Sequence, residues 1–192
     1  MKGDDGQLLK FAISGKARSG KTTLAEALME YFGDLDFVNL ESFAEPLRSL
    51  ADSAVLTKAD SFYRPILQGV GDFARGVCED FFVEGLARRL AYKLDHLGEN
   101  YSGMAVIHDL RFPNEARWCR EHGFILVRVE CPEALRKSRY GNDELFDKMK
   151  DHVSETALDD WDDWDVMVRS TLAPVDQNAM RVVEYLKLEE QL

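Results

Sequence analysis

The sequence predicts an α/β protein in which helices cover both faces of a parallel sheet. Strand-like runs such as 8–14, 103–109 and 124–130 are apolar at consecutive positions rather than at every second one, which is typical of strands buried on both faces. Segments with helical spacing of apolar residues alternate with these runs, as in parallel sheets joined by crossover helices. No repeat, low-complexity tract or linker divides the 192 residues, so a single domain over 1–192 is expected.

The elements are predicted in a regular order along the chain. The first strand leads into a helix over 22–32, where Leu24, Leu28 and Phe32 lie on one face. A helix over 79–98 is predicted to end at Gly98 as its C-cap. The other strands are predicted over 36–43, 103–109, 124–130 and 165–170, and the other helices over 45–55, 63–76, 113–123 and 173–192.

Composition excludes two classes of partner. The chain has 24 basic and 35 acidic residues, a net charge of −11, and so lacks the broad basic surface that a nucleic-acid polymer requires. No apolar stretch is long enough to cross a membrane, and the N-terminus does not resemble a signal peptide. The three cysteines are far apart and odd in number, which favours a reducing compartment. We therefore expect a cytoplasmic protein, located in the host cytoplasm if it is viral.

The loop after the first strand carries the most informative motif. Its sequence GKARSGKT, residues 15–22, fits G-x-x-x-x-G-K-[ST] between a predicted strand and a predicted helix. The backbone N–H groups of such a loop and the helix N-terminus behind them surround a phosphate. We expect Lys21 to contact the β- and γ-phosphates of a nucleoside triphosphate and Thr22 to hold Mg²⁺. The predicted ATP phosphate-binding residues are Gly15, Lys16, Ala17, Arg18, Ser19, Gly20, Lys21, Thr22 and Thr23.

Asp109 ends an apolar strand and is predicted to hold the metal together with Thr22. ATP-hydrolysing motors commonly have a water-activating glutamate after this acid, whereas Leu110 follows here. One structural alternative is that Asp109 caps the helix that begins near Pro113. His108 interrupts the aliphatic strand, so the orientation of Asp109 is left open.

Two arginines beyond the fourth strand indicate a second anion. Arg136 and Arg139 are spaced i, i+3 in a predicted helix and so share a face. Transfer between two phosphorylated molecules requires cations for the acceptor and for the migrating group. The polar, glycine-containing stretch that follows is predicted to form a mobile lid over about 136–153, which would exclude water on closing.

Six segments between about residues 11 and 168 carry a more specific signal. They are GKARSGKTT, SFAEPLR, YRPILQGVGDFARG, EDFFVEGLARRL, HDLRFPNEA and HVSETALDD. Together they resemble the phage-type deoxynucleoside monophosphate kinases, which belong to the adenylate-kinase-like P-loop phosphotransferases. The lid arginines and SETALDD are also similar to elements of phosphomevalonate kinases.

This resemblance implies a P-loop NTPase fold with a five-stranded parallel sheet and transfer of the ATP γ-phosphate to a deoxynucleoside monophosphate, with Mg²⁺ as cofactor. It places Arg111 where the two phosphates converge, so the predicted catalytic residues are Lys21, Arg111, Arg136 and Arg139. Arg48 stands where these kinases often have lysine. The predicted acceptor-binding residues are Ser42, Phe43, Arg48, Arg64, Gln68 and Arg75.

Three other activities stay open on the sequence alone. They are a kinase of another phosphorylated small molecule such as phosphomevalonate, a non-catalytic nucleotide-binding regulator, and a plain ATPase. The stretch AVLTKAD at 54–60 resembles the guanine-reading element of GTPases, but no D-x-x-G stands between it and the phosphate loop. The preferred base and the oligomeric state, a homodimer included, are also open.

Overall fold

A five-stranded parallel sheet forms the centre of the protein. The computed structural model describes residues 8–54, 56–57, 62–96, 102–171 and 176–189. The predicted parallel sheet is confirmed, and every strand lies within two residues of its predicted bounds. The strands are β1 (Leu8–Ser14), β2 (Phe37–Glu41), β3 (Gly103–Leu110), β4 (Ile125–Glu130) and β5 (Val166–Arg169).

The strand order is β2-β3-β1-β4-β5, so β1 lies in the middle of the sheet. Phe11 of β1 pairs with Val106 of β3 on one side and with Ile125 of β4 on the other. Because all strands run in one direction, their carboxyl ends share one edge of the sheet. A ligand crevice forms at this edge where neighbouring connections leave in opposite directions. The residues that follow β1, β2 and β3 therefore come together there.

The connecting helices match most of the predicted ones. One difference is that α4 ends at Asp95, while the predicted C-cap Gly98 and part of the stretch 54–60 lie outside the described residues. No helix among the described residues is long and apolar enough to cross a membrane. The helices are α1 (Lys21–Tyr31), α2 (Glu45–Ser53), α3 (Tyr63–Val77), α4 (Phe81–Asp95), α5 (Pro113–Glu121), α6 (Glu133–Tyr140), α7 (Asp143–Met149), α8 (Val153–Thr156) and α9 (Asp176–Glu189).

Both faces of the sheet are covered, as the apolar runs of the strands require. On one face, Ala12 and Ile107 pack with α2, α4 and α5 in one buried cluster. On the other face, Phe11 and Ile13 pack with α1 and α9 in a second cluster. Burial of apolar surface on two sides stabilises the sheet and holds its carboxyl edge rigidly in place.

The segment predicted as a polar lid, about 136–153, contains α7 and ends where α8 begins, and the sequence predicted neither of these short helices. After α6, Gly141 has a φ of 75°, which ends the helix in the left-handed conformation. Asn142 then caps α7 by accepting from the backbone N–H of Leu145 at 2.9 Å. His152 caps α8 by accepting from the N–H of Ser154. The mobility of the segment over about 136–153 stays a prediction.

Candidate active site

The loop between β1 and α1 has a backbone shape that depends on its two glycines. Gly15 has a φ of 144° and Gly20 a φ of 102°. A Cβ at Gly15 would lie 2.5 Å from the carbonyl oxygen of Val129, a backbone atom of β4, and 2.7 Å from Ser19 Oγ. Glycine therefore allows the loop to pack directly against β4. Ser19 Oγ is buried in this loop without a hydrogen-bond partner.

Lys21 begins α1 and folds its side chain back over the loop. Its Nζ donates to the carbonyl oxygens of Gly15 at 2.6 Å and Lys16 at 2.9 Å. Burial lowers the pKa of Lys21 well below its ordinary value, and repulsion by Arg111 adds to this effect. A nearby anion would favour the charged form of such a lysine, so the site gains by binding a phosphate.

Asp109 lies near the carboxyl end of β3 and accepts four hydrogen bonds. Oδ2 accepts from Ser42 Oγ at 2.5 Å, from the N–H of Ala44 at 3.1 Å and from Arg48 Nη2 at 3.3 Å. Oδ1 accepts from the N–H of Phe43 at 2.9 Å. Burial alone would raise the pKa of Asp109, but Arg48 and the other donors outweigh it, and the pKa lies below its ordinary value. The carboxylate is therefore ionised at neutral pH.

Two questions left open for Asp109 are answered by its neighbours. The N-cap position of α5 is occupied by Phe112, so Asp109 does not cap that helix. The ring of His108 lines the cleft beside Asp109 and is held by β2, where its Nδ1 lies 2.9 Å from the carbonyl oxygen of Glu41. A carbonyl only accepts, so Nδ1 is the protonated ring nitrogen in this contact.

Four of the predicted acceptor-binding residues line the same cleft as the phosphate loop. Arg48 comes from α2, and Arg64, Gln68 and Arg75 come from α3. The spacing of the α3 residues, i, i+4 and i+11, puts them on one side of the helix. The cleft thus has a second group of cations opposite Lys21.

Ser42 and Phe43 differ from the prediction, because neither is among the described residues that line the cleft. Phe43 is 1% exposed and belongs to the core cluster, with its ring 6.4 Å from the ring of Trp118. Ser42 is buried beneath the cleft, where its hydroxyl contacts Asp109 and Arg48. Both residues reach the cleft through Asp109, to which the hydroxyl of Ser42 and the N–H of Phe43 donate.

Arg75 is held by a buried carboxylate that the sequence analysis did not single out. Its Nη2 lies 3.2 Å from Glu115 Oε1, and its guanidinium lies 3.8 Å from the centre of the Phe112 ring. Glu115 Oε2 accepts from the N–H groups of Arg111 at 2.9 Å and Phe112 at 3.1 Å. Burial raises the pKa of Glu115 to about 7, although Arg75 opposes this shift. The signal in the sequence was its place three residues after Phe112, at the start of a helix.

Arg111 lies beside the phosphate loop and is bound to Glu155, a residue to which the sequence analysis assigned no role. Arg111 Nη1 donates to Glu155 Oε1 at 2.6 Å and to the carbonyl oxygen of Ser154 at 2.8 Å. The other oxygen of Glu155 accepts from the N–H of Ala17 at 2.5 Å. Arg64 Nη1 is 3.7 Å from Glu155 Oε1. The segment HVSE marked this region, but the spacing gave no hint of a contact with the loop.

The two lid arginines do not lie in the same surroundings. Arg139 lines the cleft and donates to the carbonyl oxygen of Arg18 at 3.2 Å and to Ser170 Oγ at 3.0 Å. Arg136 is 5% exposed and lies 5.4 Å from the centre of the Phe146 ring. Its Nε and Nη1 are buried without a hydrogen-bond partner. The two side chains separate because α7 covers the side of α6 from which Arg136 projects.

The cleft is large enough for more than one ligand. Its volume is about 1070 Å³, at the upper end of the range for sites that enclose one drug-sized molecule. Its walls combine the phosphate loop, α2, α3, the residues after β3 and the lid segment. The arrangement brings cations from both sides to the centre, where two anionic groups would meet.

The residues that would hold a magnesium ion fit its chemistry. Thr22 and Asp109 line the cleft and offer a hydroxyl and a carboxylate, and Mg²⁺ prefers such oxygen ligands while keeping several waters. Asp109 Oδ1 accepts only one described hydrogen bond, which leaves it a lone pair. No group of three or more His, Cys, Asp or Glu in the described part of the chain is arranged to hold a metal, so a triphosphate would supply further ligands.

A sequence comparison points to one relative. No protein-family model matches the chain. A protein of Acanthamoeba polyphaga mimivirus is 28% identical over 151 residues, which make up 65% of this chain and 75% of that protein. Its name is deoxynucleotide monophosphate kinase, a name that is itself provisional.

Two solved kinases share the fold. Shikimate kinase from Bacteroides thetaiotaomicron has a TM-score of 0.52 and 14% identity, with 93% of this chain and 98% of that chain covered. APS kinase from Mycobacterium tuberculosis, solved with AMPPNP and APS, has a TM-score of 0.50 and 14% identity, with 96% and 99% covered. At this identity the likeness shows the fold alone. The predicted P-loop NTPase fold is confirmed, and it is the form found in P-loop kinases.

Proposed function

We propose that this protein is a nucleotide kinase that transfers the γ-phosphate of ATP to a deoxynucleoside monophosphate, giving the diphosphate. One observation carries the proposal: the phosphate loop and three arginines from α2 and α3 line one cleft of about 1070 Å³. The choice of a deoxynucleotide acceptor rests on the similarity to the mimivirus protein and on the six segments described above.

The donor side would hold ATP through the loop that spans residues 15–23. The backbone N–H groups at the N-terminus of α1 would donate to the phosphates, as such groups do in other anion sites. Lys21 would bind the β- and γ-phosphates. Because burial lowers the pKa of Lys21, a bound phosphate would stabilise its charged form. Arg139 already contacts the loop at Arg18 and would reach the phosphates from the lid.

The acceptor side would hold the monophosphate through Arg48, Arg64 and Arg75, with Gln68 beside them. Each arginine comes with a positioning contact: Arg48 with Asp109, Arg64 with Glu155 and Arg75 with Glu115. A guanidinium held in a fixed direction loses less rotamer entropy on binding a phosphate. Arg111 lies between the two sides and would contact the phosphoryl group as it moves.

A phosphate acceptor suits this cleft better than a hydroxyl acceptor. A phosphate monoester is already ionised at neutral pH, so no base is needed to activate it, and positioning with charge neutralisation does most of the work. The two buried carboxylates of the cleft, Asp109 and Glu155, are already bound to donors. The pKa of each carboxyl group lies below its ordinary value, which makes both of them weak bases toward a hydroxyl group.

Magnesium would be held by Thr22 and Asp109, directly or through water. When bound, the ion neutralises charge on the β- and γ-phosphates. The chain itself orients Asp109 for this task through the N–H groups of Phe43 and Ala44. These two contacts keep the carboxylate at the edge of the sheet that faces the cleft.

We propose one kinase domain, with a lid over about 136–153 that closes on the bound nucleotides. Closure would bring the buried guanidinium of Arg136, whose Nε and Nη1 lack partners, to the phosphates and exclude competing water. This motion would complete the set of cations that Lys21, Arg111 and Arg139 begin.

An acceptor screen tests the proposed function. ADP release from ATP and Mg²⁺ would be followed with each deoxynucleoside monophosphate, each ribonucleoside monophosphate, phosphomevalonate, and no acceptor. We expect ADP only with a nucleoside monophosphate, with the deoxy form preferred. ADP formed only with phosphomevalonate would assign another acceptor, ADP formed without any acceptor would indicate an ATPase, and ATP binding without ADP would indicate a regulator. Each of these three results contradicts the proposal.

A further inference from the structure

Glu155 is a buried anion that contacts the phosphate loop. Its side chain is 1% exposed, yet it projects from α8, a helix of only four residues. One carboxylate oxygen accepts from the N–H of Ala17 in the phosphate loop at 2.5 Å. The other lies 2.6 Å from Arg111 Nη1 and 3.7 Å from Arg64 Nη1. A single carboxylate thus contacts the donor side, the acceptor side and the arginine between them.

The charge of Glu155 is maintained by these neighbours. Burial alone would raise its pKa, but Arg111, the N–H of Ala17 and Lys21 outweigh burial, and the pKa lies below the ordinary value. Arg111 shows the reciprocal effect, because Glu155 raises its pKa against the effect of burial. The ion pair is therefore fully charged at neutral pH, and it offsets part of the positive charge that Lys21, Arg64 and Arg111 concentrate there.

The groups that hold Glu155 are those that a terminal phosphate requires. The Ala17 N–H carries one hydrogen, which already points at the carboxylate. Arg111 is turned toward α8 by Glu155 and by the carbonyl oxygen of Ser154. A phosphoryl group at the loop would compete for the same hydrogen and the same guanidinium. The carboxylate of Glu155 and a phosphoryl group that used the same donors would also repel each other, because both are negatively charged.

We propose that Glu155 is a built-in competitor of the terminal phosphate: its carboxylate occupies the transfer position in the nucleotide-free protein and must be displaced when the triphosphate binds. This inference rests on the proposed binding of a triphosphate at the loop. The apparent affinity for the triphosphate equals the intrinsic affinity multiplied by the fraction of molecules in which Glu155 has left the site. Removing the carboxylate charge therefore tightens the binding of any polyphosphate, even without a nucleoside.

A contact between α8 and α3 would link displacement of Glu155 to binding of the acceptor. His152, the N-cap of α8, has its Nε2 3.1 Å from Asp72 Oδ2 on α3. Asp72 and His152 both line the cleft, and Asp72 lies on α3, the helix that carries the proposed acceptor residues Arg64 and Gln68. An acceptor that moves α3 would therefore also move the helix that carries Glu155, which links the two binding events.

The test compares binding of inorganic tripolyphosphate to the wild-type protein and to Glu155→Gln, by isothermal titration calorimetry without acceptor or turnover. We expect the variant to bind about five- to tenfold more tightly. Glu84→Gln is the matched control, because Glu84 lies on the exposed surface of α4 in a pair with Arg88 and its loss changes the net charge equally. The control should bind as the wild type does.

Unchanged or weaker binding by Glu155→Gln would overturn the proposal, since a residue that only shapes the loop would lower affinity when replaced. If the variant does not fold, a crystal structure of the wild-type protein with tripolyphosphate decides. We expect Glu155 to have left the N–H of Ala17, and a carboxylate still bound there beside the anion contradicts the inference. Because neither measurement uses an acceptor, their failure is distinguishable from failure of the kinase proposal.

Discussion

The hydroxyl of Ser42 donates to Asp109 Oδ2 at 2.5 Å, which joins the carboxyl ends of the neighbouring strands β2 and β3. Arg48 also reaches the same oxygen, at 3.3 Å. Asp109 therefore joins two parts of the cleft: it is the proposed metal-binding carboxylate, and it contacts Ser42 and Arg48 at the start of the proposed acceptor side. We expect a change at either residue to affect both ligands, because the carboxylate also binds the backbone N–H groups of Phe43 and Ala44.

Replacement of Lys21 tests the donor side. We expect Lys21→Ala to lower acceptor-dependent ADP release by about 100- to 1000-fold or more, since it removes the cation aimed at the phosphates. The melting temperature should not fall, because the buried ammonium, whose pKa is already lowered by burial, contributes little to stability. Lys10→Ala is the control, since Lys10 contacts the carbonyl oxygen of His122 and the ring of Phe124 and is not among the described residues that line the cleft. Near-normal turnover by Lys21→Ala would exclude the role.

Replacement of Arg139 tests the lid. We expect Arg139→Ala to lower kcat by about 100-fold while KM for ATP changes by less than about threefold, because the arginine acts mainly on the phosphoryl group in transit. Steady-state kinetics with varied ATP measures both constants. Lys137→Ala on the same helix is the control, since Lys137 faces Asp143 and Asp147. A large rise in KM alone would mean that Arg139 only binds ATP.

Glu115 predicts a pH dependence of stability. Its pKa is raised from 4.5 to about 7, so between these values the folded protein binds more protons than the unfolded chain. The contribution of this residue to the free energy of unfolding is therefore largest below pH 4.5 and is lost as the pH rises through about 7. The difference corresponds to about 3 kcal/mol.

Urea unfolding of wild type and Glu115→Gln at several pH values measures this contribution. The wild-type protein should lose more stability than the variant as the pH rises over that window, because glutamine does not titrate. His108, whose pKa is lowered mainly by burial, changes stability in the opposite direction in both proteins and cancels in the difference. Parallel pH profiles would show that Glu115 stays ionised beside Arg75.

Replacement of Phe43 tests whether its side chain belongs to the core or to the acceptor site. Because its ring is 1% exposed within the core cluster, we expect Phe43→Leu to cost roughly 1–2 kcal/mol of stability, with KM for the acceptor unchanged. Gln68→Ala is the opposite case, since Gln68 lines the cleft: the acceptor KM should rise and stability should stay the same. Chemical unfolding and acceptor-varied kinetics of both variants decide, and a raised acceptor KM for Phe43→Leu would return Phe43 to the acceptor site.

The sequence predicted those parts of the site whose geometry is local. The phosphate loop lies between a strand and a helix within fourteen residues, and its backbone conformation requires the two glycines, both of which have positive φ. The strands were equally visible, because burial on both faces is written into consecutive apolar residues. Arg64, Gln68 and Arg75 were expected only from the resemblance to the kinase family, and all three line the cleft from α3.

Other features needed the packed structure. Helical spacing alone put Arg136 and Arg139 together, but α7 covers the former, and only Arg139 lines the cleft. Phe43 follows a strand like a site residue, yet the chain turns its ring into the core. Glu115 is at a helix start, and no pattern showed that its carboxylate would also hold Arg75.

The amino-acid order by itself determined the parallel sheet, the phosphate loop and the supply of cations at the strand ends, since each depends on neighbours within a few residues. Only the tertiary structure decided which charges meet. Glu155 and Ala17 are 138 positions apart in the chain, and a contact over that separation depends on how α8 is brought to the loop after β1, which no local preference encodes.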